Sequence, residues 1–248
     1  MKILVTPHDY GVGPGEPPDV VIKDLERTFP KLEFVWCETL DEELDAIVDA
    51  EVYCGWPSRN VFNAAKNLKW IHCPGAGINE LTNIPELVNS DIPVTNARNP
   101  HVSPMATHVF GFIIILAHRF HQMIEEQKSK TWNTTDYAWK QIDLEGQTLG
   151  IFGFGNIGKR IAKRALGFDM NVYAVDKYPK PSEYTKEVWG LESLHKLLEI
   201  SDWFVVTAPI TEETRGMIGR EELQIMKPTS HLIVVSRGGI VDETALIE

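Results

Sequence analysis

Short apolar runs alternate with stretches of helical spacing from the first residue onward. KILVT (2–6), EFVW (33–36), VYCGW (52–56), KWIHC (69–73) and IPVTN (92–96) read as strands, with helical spacing over 19–29, 41–50 and 58–67. Alternation of this kind fits a parallel sheet covered by helices, and residues 1–100 have the rhythm of a flavodoxin-like domain. A long helix follows over 104–130, with Pro104 in its first turn and Ser103 placed to cap it. Its stretch 109–117 is apolar nearly all round. Phe110, Phe112, Ile113, Ile114 and Leu116 are therefore expected to be buried by a second subunit as well as by their own chain, making a homodimer. A second α/β series starts near residue 146. TLGIF (148–152), NVYAV (171–175), WFVVT (203–207) and HLIVV (231–235) read as four strands, and helices are expected over 156–167, 191–199, 219–226 and from 242. Residues 101–248 thus comprise a linker helix and a second domain.

Composition narrows the partners. With 43% hydrophobic and 24% charged residues, the 248-residue chain is ordinary for a folded protein of one large or two modest domains. A formal charge of −11 disfavours nucleic acid and anionic membranes, although a local arginine can still hold a carboxylate. The apolar run at 109–117 is less than half the ~20 residues of a membrane helix. The opening MKILVTPHDY is too short in apolar residues for a signal peptide, so a soluble, cytoplasmic protein is expected. Cys37, Cys54 and Cys73 lie in apolar runs without metal-ligand spacing; they read as buried hydrophobes, and no metal site is expected.

The sharpest chemical signal is Gly153-Phe154-Gly155-Asn156-Ile157-Gly158, a G-x-G-x-x-G directly after an apolar strand and before a helix. The first glycine permits a tight turn, the second admits a pyrophosphate against the backbone, and the third lets helix and strand pack closely. The helix start adds N–H groups and positive dipole for the phosphates. Glycine turns also arise for packing alone, but the next strand ends at Asp176, eighteen residues after Gly158. A carboxylate there suits the adenosine ribose hydroxyls and repels the 2′-phosphate of NADP, so NAD is the expected cofactor. Lys177, the one nearby cation in the sequence, weakens that preference slightly.

Four segments together give the chain a resemblance to the NAD-dependent D-2-hydroxyacid dehydrogenases. They are Pro74-Gly75-Ala76-Gly77-Ile78-Asn79, the fingerprint from Gly153 to Asp176, Ala208-Pro209-Ile210-Thr211 with Thr214, and Ser236-Arg237-Gly238-Gly239. The resemblance implies a flavodoxin-like substrate domain joined to a Rossmann domain, and reversible oxidation of a small 2-hydroxy acid to a 2-keto acid. It also implies that Ala76 and Gly77 hold the substrate carboxylate. Gly153, Gly155, Asn156, Ile157, Gly158, Asp176, Lys177, Thr207, Ala208, Pro209, Thr214, Ser236 and Arg237 would line the cofactor. Arg237 would be the catalytic arginine, whose planar fork suits a carboxylate.

The sequence departs from that family in three places. Thr107 precedes His108 where an acidic residue is usual, and Val234 stands where an asparagine is common. The family's catalytic glutamate and histidine follow the arginine by more residues than the sequence contains after Arg237. Two βα units of ~30 residues each are expected to be missing, and activity is expected to be impaired. His8, in Thr6-Pro7-His8, resembles the family's catalytic T-P-H, but it also fits the family's ordinary opening strand. The other histidines show no local constellation. Two rivals remain open: a non-catalytic NAD-binding protein similar to the co-repressors of this fold, and an inactive remnant or shortened chain.

Overall fold

Strand alternation in the first half resolves into a five-stranded parallel sheet, ordered β2-β1-β3-β4-β5. Its strands are β1 (Lys2–Val5), β2 (Glu33–Trp36), β3 (Val52–Cys54), β4 (Trp70–Cys73) and β5 (Val94–Asn96). That order is the flavodoxin-like one. The structure, a computed structural model, describes residues 1–6, 19–133, 137 and 139–248, and divides into unit 1, Met1–Asn99, and unit 2, Pro100–Glu248. In unit 1 the helices are α1 (Asp19–Thr28), α2 (Leu40–Ala46), α3 (Arg59–Ala64) and α4 (Pro85–Val88). Local chemistry sets the starts of two of them: Thr39 and Glu42 form a capping box for α2, and the Ser58 hydroxyl accepts the Val61 N–H to begin α3. Side chains alternate across the sheet, as the two-residue period of a strand requires. Leu4, Tyr53, Ile71 and Cys73 pack on one face with Ile47, Val61 and Leu87, while Ile3, Val5 and Val52 pack on the other. Cys37 and Cys73 are buried, as expected, and Cys54 is half-buried. Burial, reinforced by the nearby Glu43 and Glu42 carboxylates, pushes the Cys37 thiol up to about 11.

Unit 2 begins with α5 (Val102–Ala117) and α6 (Phe120–Lys128). Its parallel sheet is ordered β10-β9-β6-β7-β8, from β6 (Thr148–Phe152), β7 (Asn171–Val175), β8 (Glu187–Trp189), β9 (Trp203–Val206) and β10 (His231–Val234). The remaining helices are α7 (Asn156–Ala165), α8 (Leu194–Ile200), α9 (Arg220–Ile225) and α10 (Glu243–Ile247). Ile161, Ala162 and Ala165 of α7 share a core with Ala106, Val109, Phe110, Ile113 and Ala117 of α5, on one face of this sheet. Leu194, Leu197 and Leu198 of α8 pack with Phe152, Phe204 and Val206 on the other.

Three expectations need correction. The sheet has five strands rather than four, because β8 is only three residues long and lies at the edge, where little apolar sequence is needed. The linker is two helices bent by 68°, not one. Arg119 sits between them in the left-handed region at φ 57°, while its Nε donates to the Lys140 carbonyl at 3.1 Å. The Ile142 N–H bonds the Ala117 carbonyl at 2.9 Å, so the returning chain occupies the end of α5. Finally, His101 rather than Ser103 holds the cap position of α5. The Ser103 hydroxyl instead accepts from Arg164 of α7 at 2.9 Å, and Thr107 accepts from the same guanidinium at 3.3 Å. The neutral Thr107 therefore serves as a tether between the two helices.

Candidate cofactor site

The site of unit 2 lies where the strand connections reverse direction, between β6 and its neighbour β9. Ligands in open α/β sheets bind outside the carboxyl ends of the strands at such a point. β6 ends at Phe152 and α7 begins at Asn156, so the glycine turn occupies the intervening residues. Gly153 has φ +91°, and a Cβ there would fall 2.4 Å from the Ala208 nitrogen. Only glycine fits both the conformation and the space. A Cβ on Gly158 would meet the Gly153 carbonyl oxygen at 2.5 Å, so α7 packs against the turn as closely as backbone permits. Gly155 is different: a Cβ there would meet nothing within 4 Å. Packing does not demand glycine at that position, and the open space suits a pyrophosphate laid against the backbone.

Asp176 follows β7 and faces this turn. Its Oδ2 accepts the Phe154 N–H at 2.6 Å and its Oδ1 accepts the Tyr178 N–H at 2.9 Å. A carboxylate has about four lone-pair positions, so each oxygen keeps one for a ribose hydroxyl. The loop after β9 closes the other side. Thr207 donates its hydroxyl to the Gly153 carbonyl, and the Ala208 N–H bonds the Phe152 carbonyl at 3.0 Å. Thr214 donates to the Pro209 carbonyl at 2.7 Å and accepts the Thr211 N–H at 2.8 Å, which locks the loop in shape. Thr207 and Thr214 thus shape the wall of the site through their own hydroxyls. Asn156 starts α7, and Ile157 packs against the core of unit 2. Lys177 reaches Glu213 of the β9 loop in an ion pair, which holds the lysine above its ordinary pKa.

Arg237 lies past the carboxyl end of β10, exposed, with its Nη1 donating to the Ser236 carbonyl at 3.0 Å. β10 is two strands from β6, a separation of ~10 Å at the usual spacing. The Ser236 hydroxyl is buried without a hydrogen-bond partner among the described residues, which is costly unless a ligand satisfies it. Unit 1 holds the other candidate segment, after β4. Asn96 donates to the Ala76 carbonyl and Trp56 Nε1 to the Gly77 carbonyl, both at 2.8 Å. In a trans peptide the N–H points away from the carbonyl, so pinning these oxygens turns the Gly77 and Ile78 N–H groups the opposite way.

Among the histidines, sequence reasoning missed one pairing. His195 Nε2 lies 2.9 Å from Glu222 Oε1, joining α8 to α9 across 27 residues of sequence. Glu222 also accepts the Gly219 N–H at 3.0 Å, so the pair caps and braces a helix. His72 lies 2.9 Å from the Thr95 hydroxyl on the adjacent strand. His8 lies outside the described residues.

Residues 110–248 match the family described as D-isomer specific 2-hydroxyacid dehydrogenase, NAD binding domain. The chain belongs to this family. Unit 2 is its NAD-binding domain. D-3-phosphoglycerate dehydrogenase of Methanocaldococcus jannaschii is 31% identical over 253 residues, covering 100% of the chain and 46% of that protein. Glyoxylate reductase of Thermococcus onnurineus is 37% identical over 198 residues, covering 76% of the chain and 58% of that protein. The chain spans about half the length of the curated relatives it matches. The crystal structure of D-lactate dehydrogenase from Aquifex aeolicus, complexed with NAD and lactic acid, aligns with a TM-score of 0.76 at 25% identity. That alignment covers 98% of the chain and 72% of the enzyme.

Proposed function

We propose that the chain binds NAD in preference to NADP and takes part in the reversible oxidation of a small D-2-hydroxy acid to its 2-keto acid. The observation that carries this reading is the glycine turn at the β6–β9 reversal, open at Gly155 and held by Asp176. NAD supplies the hydride chemistry when bound. The chain's own residues bind and orient. Gly153, Gly155, Gly158 and the start of α7 receive the pyrophosphate, and Asp176 receives the ribose hydroxyls. The Ser236 hydroxyl and the loop from Thr207 through Thr214 border the cofactor farther along. In unit 1 the N–H groups after the pinned Ala76 and Gly77 carbonyls suit a substrate carboxylate, and in unit 2 Arg237 offers a guanidinium of the kind that holds such an anion.

Among the described histidines, His195 braces a helix through Glu222 and His231 stacks on Trp203 at 4.2 Å, so neither stands as a free acid–base group. We infer that this polypeptide binds NADH but reduces 2-keto acids slowly, because positioned acid–base catalysis is worth about 10²- to 10⁴-fold. The test is NADH oxidation with glyoxylate, pyruvate or another 2-keto acid, with cofactor binding measured in parallel. Binding with slow turnover supports the reading, and turnover at rates usual for dehydrogenases contradicts it. If turnover is fast and His8→Ala abolishes it, His8 is the acid–base group.

We further infer a homodimer through α5 and α6. Their outer face keeps Phe112 43%, Ile115 37% and Ile124 49% exposed, and a hollow of about 860 Å³ lined by Phe120, Met123, Ile124 and Trp132 lies beside it. Large apolar side chains left exposed on both helices support a second copy as their cover. Cys37 and Cys73 lie buried and Cys54 half-buried as small apolar side chains, which supports a reducing, cytoplasmic setting.

A further inference from the structure

Lys177 and Glu213 stand on the loops after β7 and β9, the strands that flank β6 on either side. Their ion pair, between residues 36 apart in sequence, therefore spans the carboxyl end of β6, where the glycine turn lies. Both side chains stay about half exposed, 49% for Lys177 and 58% for Glu213. Lys177 adjoins Asp176, whose carboxylate marks the ribose end of the site. A lysine in that place is the group that would neutralise a 2′-phosphate, a compact ammonium meeting an ester of nearly two negative charges. Glu213 already holds it. With Asp176, Lys177 and Glu213 together, the adenosine end carries one net negative charge; without Glu213 it carries none.

Resting on the NAD reading above, we propose that Glu213 is a specificity-determining residue: by engaging Lys177 across the mouth of the site, it removes the cation that would otherwise admit NADPH. The two carboxylates act together, Asp176 by facing the ribose and Glu213 by occupying its neighbour. An exposed ion pair adds little to stability, so its removal changes the charge at the site while leaving the fold in place.

The test is a titration of the whole chain with NADH and with NADPH, for the unaltered protein, Glu213→Gln and Glu213→Gln/Lys177→Met. Glu213→Ser provides a second removal of the charge if the glutamine variant folds poorly. In Glu213→Gln the NADPH-to-NADH Kd ratio should fall about fivefold or more, as a freed lysine gains a charge-assisted bond to phosphate. Adding Lys177→Met should restore the original ratio. A ratio unchanged in Glu213→Gln and Glu213→Ser, with NADH binding intact, overturns the role of Glu213 alone. A gain that persists without Lys177 overturns it as well. Failure of the unaltered chain to bind NADH overturns the cofactor reading itself.

Discussion

Asp176 acts on the protein before it meets any ligand. Its carboxylate accepts the N–H of Phe154 within the glycine turn and that of Tyr178 beyond β7, so the group proposed to receive the ribose also holds the turn in place. Replacing it by asparagine keeps one acceptor oxygen while removing the charge. Asp176→Asn should narrow the preference for NADH over NADPH by about tenfold, the ~1.4 kcal/mol expected for loss of one close repulsion, and paired titrations read it directly. His231 offers a test of pH dependence at the same scale. Burial, with the positive charge of Arg119 adding to it, holds His231 below its ordinary 6.5. The unfolded chain returns to the ordinary value and so takes up the proton first as pH falls. Stability from the neutral ring is therefore present above about pH 6.5 and is lost as pH falls through the lower folded value. His231→Phe, which keeps a ring against Trp203, should lose less stability than the unaltered chain between pH 7 and 5 in thermal unfolding.

Gly153 and Gly155 are two residues apart, yet they answer to different demands. Alanine at Gly153 would sit at positive φ and against the Ala208 backbone, so Gly153→Ala should lower the melting temperature and NADH affinity together. Alanine at Gly155 would meet open space in the protein alone; Gly155→Ala should keep the melting temperature and lose NADH affinity at least tenfold. This element was legible from sequence because an apolar strand, a fixed glycine spacing and an acidic strand end all lie within about one βα unit. The parallel, helix-covered character of both sheets was legible in the alternation of apolar runs and helical spacing. What stayed hidden depends on contacts between distant segments. The break at Arg119 carries no glycine or proline to announce it, and it is fixed by residues 140–142 returning to the end of α5. β8, three residues at a sheet edge, has too few apolar positions to show a period. The Lys177–Glu213 pair joins two loops that sequence keeps apart, so Lys177 read as a lone cation. Its neutralisation strengthens the expected NAD preference.

At the scale of the molecule, each unit carries its own candidate segment. Unit 1 presents the segment after β4 with its carbonyls pinned at Ala76 and Gly77, and unit 2 presents the cofactor turn and Arg237. Assembly adds a further expectation. The outer apolar face of α5 and α6 should be covered by a second copy, so Phe112→Asp with Ile124→Asp should shift the protein toward monomer in light scattering; a monomeric unaltered chain would contradict the dimer. The central claim, that unit 2 is an NAD site built on an open Gly155 and the Asp176 carboxylate, is tested most directly by titrating the chain with NADH and NADPH side by side. The account predicts saturable NADH binding at least about tenfold tighter than NADPH, a difference of ~1.4 kcal/mol or more. Equal affinities for the two, or no binding of either, would contradict it.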